Sequence, residues 1–510
     1  MNLPLRLFLT TLLALTVAFA FNFFFLHLSE RPLIDQILLI TFSTAALGYL
    51  TFSFWGNHTA DSMGMTSAAK KKINAAAISL FLREHAQGIL LALLFFSLYT
   101  YIGLKLNSST IDTVDNYLDA DNYSWMQRIS APDGYNFEMR GPHPFAYFIF
   151  RPLGWLLNIF TQNYGLSAIL LNTLAGATCV FMAWLFIKRQ FQNSIYALLI
   201  AALLGLSTAH IFFGSVIETY IFSAAALIGF VLLLQSQPDL TLGPLVSASL
   251  LTFGITLTNF IQTFIGFVVT LFARTKPRSW KTFAGFFREI IHFTGLTLSL
   301  GILISLVHAA WYPSSKLFFL LSDAQAEGEF AFSIFQEPTW KAIGRVLLLI
   351  RTIFLYTVIA PQPYVFTSEV GGTFPRFNFF KITPELFSYS SYHGSANLLI
   401  IAWAVLLLTA GVLFLWNLIR TRKMDLSFVF VLCILFNFTL HLNYGYEPFL
   451  YSPDWAYALI FFVALSLAPL AKNRFFQGGL FIFLIFLAYN QFQFFQFIFQ
   501  TVAPFTHQGG

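Results

Sequence analysis

The chain has 510 residues, of which 57% are hydrophobic and 10% charged, where a soluble domain carries roughly 25% charged residues. A soluble fold has too little interior to hide that much apolar surface, so lipid is its solvent, and every backbone polar group must be paired within helices or a closed barrel. The net charge of +6 is dispersed in short clusters between apolar runs, such as Lys70-Lys71-Lys72 and Arg420/Arg422/Lys423. That is the pattern of cytoplasmic loops, not of a nucleic-acid footprint.

Apolar runs of about twenty residues select helices over barrel strands. Thirteen spans are predicted: 7–28, 33–55, 87–104, 166–187, 195–213, 217–235, 242–258, 260–273, 290–310, 396–418, 427–443, 455–471 and 477–497. The first has signal-peptide character through Arg6 and Ala18-Phe19-Ala20, but its apolarity runs on through Phe25, so an uncleaved helix is expected. Cys179 and Cys433 both fall in apolar stretches and are read as small buried hydrophobes, with no disulfide framework or thiolate site.

Loops 56–86, 188–194, 274–289, 419–426 and 472–475 hold most of the lysines and arginines. Loop 105–142 has three basic residues against six acidic ones, and 311–342 has two against four. A cytoplasmic N-terminus puts every basic loop inside and both acidic loops outside, with an external C-terminus. Two further helical stretches do not fit as spans. Segment 143–160 carries Pro144, Arg151 and Pro152, and 343–360 carries Arg345 and Arg351. Both are read as helices lying along the outer interface, with re-entrant helices as the alternative. The result is one all-α polytopic membrane domain over 1–510, with external elaborations at 105–160 and 311–395 that each carry an interfacial helix.

The chemistry is expected outside. Asp115 and Asp119 are four residues apart and would share one face of a helix, with Asp121 pointing elsewhere. Like charges beside a low-dielectric surface raise a carboxyl pKa, as a general base requires; a hydrated acidic loop is the plain alternative. Tyr117, Tyr123 and Trp125 interleave the acids, and His143 stands between Pro142 and Pro144. Arg140 and Arg151 flank it as candidate phosphate ligands, or as interface arginines. Glu218 in Gly214-Ser215-Val216-Ile217-Glu218-Thr219-Tyr220 enters an apolar helix, which is costly unless it faces a partner or cavity. A third polar, aromatic turn runs from Tyr446 and Glu447 to Trp455.

The order of these features, with Asp119-x-x-x-Tyr123, His143-Pro144 and then Glu218-Thr219-Tyr220 opening a helix, resembles the GT-C superfamily of membrane glycosyltransferases. That superfamily includes protein O-mannosyltransferases and the aminoarabinose transferases of lipid A. The resemblance implies an inverting transfer from a polyprenyl-phosphate-linked sugar to an extracytoplasmic lipid, glycan or protein acceptor, in a bacterial inner or plasma membrane. It maps the base to Asp119, with Asp121 as rival, matches His143 to the His-Pro that shapes the pocket and matches Glu218 to the family's acidic residue after the fifth or sixth helix. Tyr220, beside Glu218, and Glu447 are read as further substrate contacts. Arg140, Arg151, Arg345 and Arg351 are the candidates for the phosphate. The chain departs from the family in placing its acidic motif after the third span and in having Asp119-Ala120-Asp121 where an Asp-Glu pair is usual. No cofactor is required by this reading; a divalent cation on Asp119, Asp121 and His143 stays open. The rival functions are a lipid-linked sugar transporter or flippase, an O-antigen-type polymerase or ligase using loop 361–395, and a membrane scaffold.

Overall fold

The computed structural model describes residues 3–57, 75–107, 116–237, 240–276, 279–367, 374–384 and 386–506. It is built of helices: α1 (Leu3–Phe25), α2 (Leu33–Asn57), α3 (Ala75–Leu106), α4 (Asn122–Ser130), α5 (Ala146–Thr161) and α6 (Tyr164–Phe191). Next come α7 (Ser194–Leu206), α8 (Thr208–Phe213), α9 (Tyr220–Ser236), α10 (Leu242–Ile255), α11 (Phe260–Thr275) and α12 (Trp280–Trp311). The chain continues with α13 (Leu321–Glu327) and α14 (Thr339–Arg351), then α15 (Ser395–Thr421), α16 (Leu426–His441), α17 (Pro453–Ser466) and α18 (Arg474–Thr506). Strands are confined to the late loop, where β1 (Tyr364–Thr367) pairs antiparallel with β2 (Pro375–Asn378), and β3 (Phe380–Ile382) with β4 (Phe387–Tyr389).

Among the described residues, seven helical stretches are long and apolar enough to cross a membrane: 33–53, 80–106, 164–191, 257–275, 280–311, 395–421 and 474–505. Six shorter apolar helices accompany them. This is a multi-pass membrane architecture. Side chains sort by radial position: α17 is buried almost throughout, whereas α15 turns Leu398, Ile401, Val405, Leu408, Val412 and Trp416 outward. Lipid hydrocarbon is a surrounding that makes that outer face stable.

Helix ends follow capping chemistry. The side chains of Asn163, Asn193 and Asp425 accept from the first-turn amides of α6, α7 and α16, and Ser279 and Thr282 form a capping box on α12. Four helices stop on a left-handed residue other than glycine: Gln162, Gln192, Lys276 and Arg422.

Three expectations need correction. The stretch 195–213 is not one continuous helix but α7 and α8, broken at Ser207, whose backbone is extended (φ −57°, ψ 143°) and whose hydroxyl accepts from His210 N. Segment 343–360 is helical but shifted: α14 already begins at Thr339, and the helix ends in a π-turn over Thr352–Tyr356, short of residue 360. Asp119 does not lie on a helix: Leu118 and Asp119 both adopt left-handed conformations (φ 55° and 67°), and α4 begins only at Asn122. Asp115 and the Lys70–Lys72 cluster lie outside the described residues.

Candidate functional site

The site is assembled from loops at one end of the bundle. The first wall is the acidic turn. Leu118 N donates to Phe377 O (3.0 Å) and Phe377 N to Asn116 O (2.8 Å), so the turn is stitched to β2, and the Tyr117 and Phe377 rings stack at 5.9 Å. Ala120 N closes back on Tyr117 O at 3.1 Å. Two successive left-handed residues, neither of them glycine, are a costly backbone that persists only where surrounding contacts fix it. Here it turns the side chains of Asp119 and Asp121 into one cavity.

The second wall is the unwound segment between α8 and α9. Its backbone groups are satisfied by two asparagines. Asn107, at the end of α3, accepts from Ile217 N (3.3 Å) and donates to Ser215 O (2.8 Å). Asn172 of α6 accepts from Glu218 N (3.4 Å) and donates to Phe213 O (2.9 Å) and Val216 O (3.2 Å). Gly214 is required by close approach, since a Cβ there would lie 2.5 Å from His210 O and 2.8 Å from the Tyr99 ring. The segment delivers Glu218, whose Oε1 accepts from Thr219 N (2.8 Å) and Thr219 Oγ1 (3.2 Å). Its Oε2 accepts from Asp121 N (3.0 Å), which ties the two walls together.

Asp119, Asp121, Glu218, Arg128, Arg140, His143, Tyr220 and Tyr451 line a cavity of about 330 Å³. Burial and the neighbouring Asp121 raise the pKa of Asp119, against the opposing charge of Arg376. Burial likewise raises Asp121, with Arg128 and Arg140 opposing it. Glu218 is pushed well above the usual carboxylate range by burial and by Asp121. The Asp121 charge thus acts on both of the other carboxyls, raising Asp119 on one side and Glu218 on the other.

Arg140 stands at the junction. Its Nε donates to Glu327 Oε1 (3.1 Å), and its guanidinium lies over the Phe330 ring at 4.0 Å. Arg128 stacks on Trp125 at 5.0 Å and donates to Glu138 O at 3.1 Å. The His143 ring donates through Nδ1 to Ile255 O (2.6 Å), leaving Nε2 as an acceptor, and meets Trp125 edge-on. Burial lowers its pKa to about 3, with Arg140 and Arg128 adding to the effect, so the ring is neutral. Arg140, His143, Tyr220 and Tyr451 also face a second compartment of about 220 Å³, walled by Pro142, Leu257, Phe318 and Leu440.

The remaining sequence candidates stand elsewhere. Tyr123 packs against the hydrophobic core. Arg151 donates to the carbonyls of Ala131 and Pro132 (both 3.1 Å) and Arg128 (3.3 Å), so it braces the turn after α4. Arg345 donates to the carbonyls of His441 (2.7 Å), Tyr444 (3.3 Å), Tyr446 (2.8 Å) and Gly445, clamping the turn that carries Tyr444 and Tyr446. Arg351 lies over Tyr389 at 4.7 Å. Glu447 is buried beside this clamp. Its Oε1 accepts from Phe449 N (3.1 Å), and its pKa is raised to about 8 by burial, with Asp119 adding and Arg345 opposing.

Among the described residues no three His, Cys, Asp or Glu side chains gather as a metal set, so Asp119, Asp121 and His143 do not form the cation site considered above. The Nδ1 of His143 is committed to Ile255 O. Composition and spacing had not pointed to Arg128, Glu327 or Tyr451 individually, although all three lie in stretches whose polar or aromatic character was legible. No protein-family model matches the chain, and no curated protein matches it.

Proposed function

We propose that the chain is a GT-C-type inverting glycosyltransferase, with thirteen membrane spans, a cytoplasmic N-terminus and an extracytoplasmic active site. It moves a sugar from a polyprenyl-phosphate donor to a lipid, glycan or protein acceptor. The observation that carries the reading is the convergence of Asp119, Asp121 and Glu218 with Arg128 and Arg140 in one cavity, beside a second compartment where apolar side chains alternate with Asp323, Glu327 and Asp454.

In this reading a carboxylate removes the acceptor hydroxyl proton as the acceptor oxygen forms its bond to the anomeric carbon. The bond from that carbon to the phosphate oxygen breaks on the opposite face, which inverts configuration. Asp119 is the preferred base and Asp121 its rival: burial raises both carboxyls, but Asp121 faces both Arg128 and Arg140, which favour its ionised form. Polyprenyl phosphate leaves with added negative charge, which Arg140 and Arg128 stabilise. For that, Arg140 exchanges Glu327 for the phosphate. Neutral His143 and the tyrosines 220 and 451 shape the pocket around the sugar.

The test is transfer of a radiolabelled hexose from a polyprenyl-phosphate donor by membranes carrying Asp119→Asn or Asp121→Asn. Loss in at least one supports the reading, and full activity in both sinks it. A second reading, an O-antigen-type ligase or polymerase, draws on Arg376 of β2, whose charge acts on Asp119 from the late loop. It predicts that preformed lipid-linked oligosaccharide, not a monosaccharide donor, is consumed.

A further inference from the structure

At the same end of the bundle, a separate cavity of about 540 Å³ lies between the start of α15 and the middle of α18. That volume is within the range of small-molecule sites. Its polar lining includes Gln362, His393, Ser395, Tyr489, Asn490 and Gln493, interleaved with phenylalanines of α18. Among the described residues, Asp, Glu, Lys and Arg are absent from that lining.

We propose that this cavity binds the uncharged sugar headgroup of a membrane lipid, independently of the transfer chemistry proposed above. Amide and hydroxyl groups matched with aromatic faces suit a ligand that has both hydroxyls and apolar C–H faces. A phosphate would be left without a cation, and an ammonium without a carboxylate, in surroundings where unpaired charge is expensive. The groups are also set for recognition. Asn490 Nδ2 donates to Ala360 O (3.0 Å), which fixes the amide and leaves Oδ1 as an acceptor. Tyr392 is held by its hydroxyl bond to Ile359 O (3.0 Å), and His393 by Ser391 (2.9 Å). Gly394, with φ +58° and ψ −128°, allows the chain to turn sharply into α15 along the cavity edge.

The ligand is a lipid and not a free sugar because the cavity borders the lipid-facing surface. Tyr489, on its wall, is 52% exposed, and Leu398 and Ile401 on the adjoining face of α15 are 70% and 61% exposed. Acyl chains lying along α15 and α18 would place a headgroup at Gln362 and Gln493.

The experiment is native mass spectrometry of the full chain in detergent, with a monohexosyl diacylglycerol, phosphatidylglycerol and free hexose as separate probes. The hexosyl lipid should form a saturable one-to-one adduct. Gln493→Leu and Gln362→Leu, both at exposed positions, should each weaken it by about tenfold, the equivalent of one lost hydrogen bond to the ligand, while leaving the melting temperature unchanged. Equal binding of phosphatidylglycerol, equal binding of free hexose, or undiminished adducts in both variants would overturn the proposal. A photoreactive hexosyl lipid should label peptides around Tyr392 or Gln493, and labelling only elsewhere would also overturn it.

Discussion

The two large cavities at this end of the bundle are built from the same kinds of helix and loop, yet they differ in charge. One collects Asp119, Asp121, Glu218, Arg128 and Arg140, while the other is lined by amides, hydroxyls and rings. Charge is expensive next to hydrocarbon, and a chain with so few charged residues has concentrated three carboxyls and two guanidiniums in one place. Holding them there takes dedicated structure: a double left-handed turn, two asparagines that satisfy an unwound segment, and a strand borrowed from a loop far along the chain. The uncharged cavity needs none of that. The contrast separates groups suited to moving a proton and stabilising a leaving phosphate from groups suited to holding a neutral ligand.

The sharpest way to break the comparison is Asp119→Asn, which should lower the rate of transfer by about 10²–10⁴-fold, the range for loss of a positioned base. A rate within twofold of the parent would remove Asp119 from the chemistry. Arg140→Ala comes next: loss of a preorganised charge at the leaving group should cost about 10²–10³-fold in kcat, measured with donor at saturation. Glu327→Gln should be milder and opposite in KM, because it frees Arg140 for the donor phosphate; a raised KM would count against that exchange.

Stability gives the third comparison. Arg345→Met removes hydrogen bonds from a charged group to four carbonyls and should cost about 1.5–3 kcal/mol per bond that water does not replace. Unfolding in detergent would read it, and no change in melting temperature would show the clamp to be idle.

The pH profile is subtler. A base must be deprotonated, so the raised pKa of Asp119 puts the acidic limb of kcat/KM above the unperturbed value of about 3.9. Removing the Asp121 charge in Asp121→Asn relieves one cause of that elevation, so the limb should move to lower pH; movement to higher pH would contradict the assignment. The smallest effect belongs to Tyr123→Phe. Since Tyr123 packs on the core away from the cavity, transfer should stay within about twofold and stability within about 0.5 kcal/mol.

Much of this was legible in sequence because the relevant physics is local. Apolar runs marked the membrane helices, and the acidic stretch, the His143-Pro144 step and Glu218 were each conspicuous as polar groups among apolar ones. What escaped was whatever depends on distant partners. The spacing from Asp115 to Asp119 reads as a helix face, and only pairing with β2 converts Leu118 and Asp119 into a left-handed turn. Arg151 and Arg345 look like phosphate ligands until the carbonyls they satisfy come into view. Ser207 interrupts a run that is apolar on both sides, because a serine hydroxyl can cap a new helix as easily as it can ride within one.

The pairing of the acidic turn with β2 has a consequence for biosynthesis. A nascent chain that has emerged through Glu218 already carries all three cavity carboxyls, but Phe377, which accepts from Leu118 N, is still to be made. Until translation passes that residue, Asp119 lacks the strand that fixes its backbone. Chains arrested before and just after Phe377 should therefore differ in protease resistance at Asn116–Asp121, with the longer ones protected.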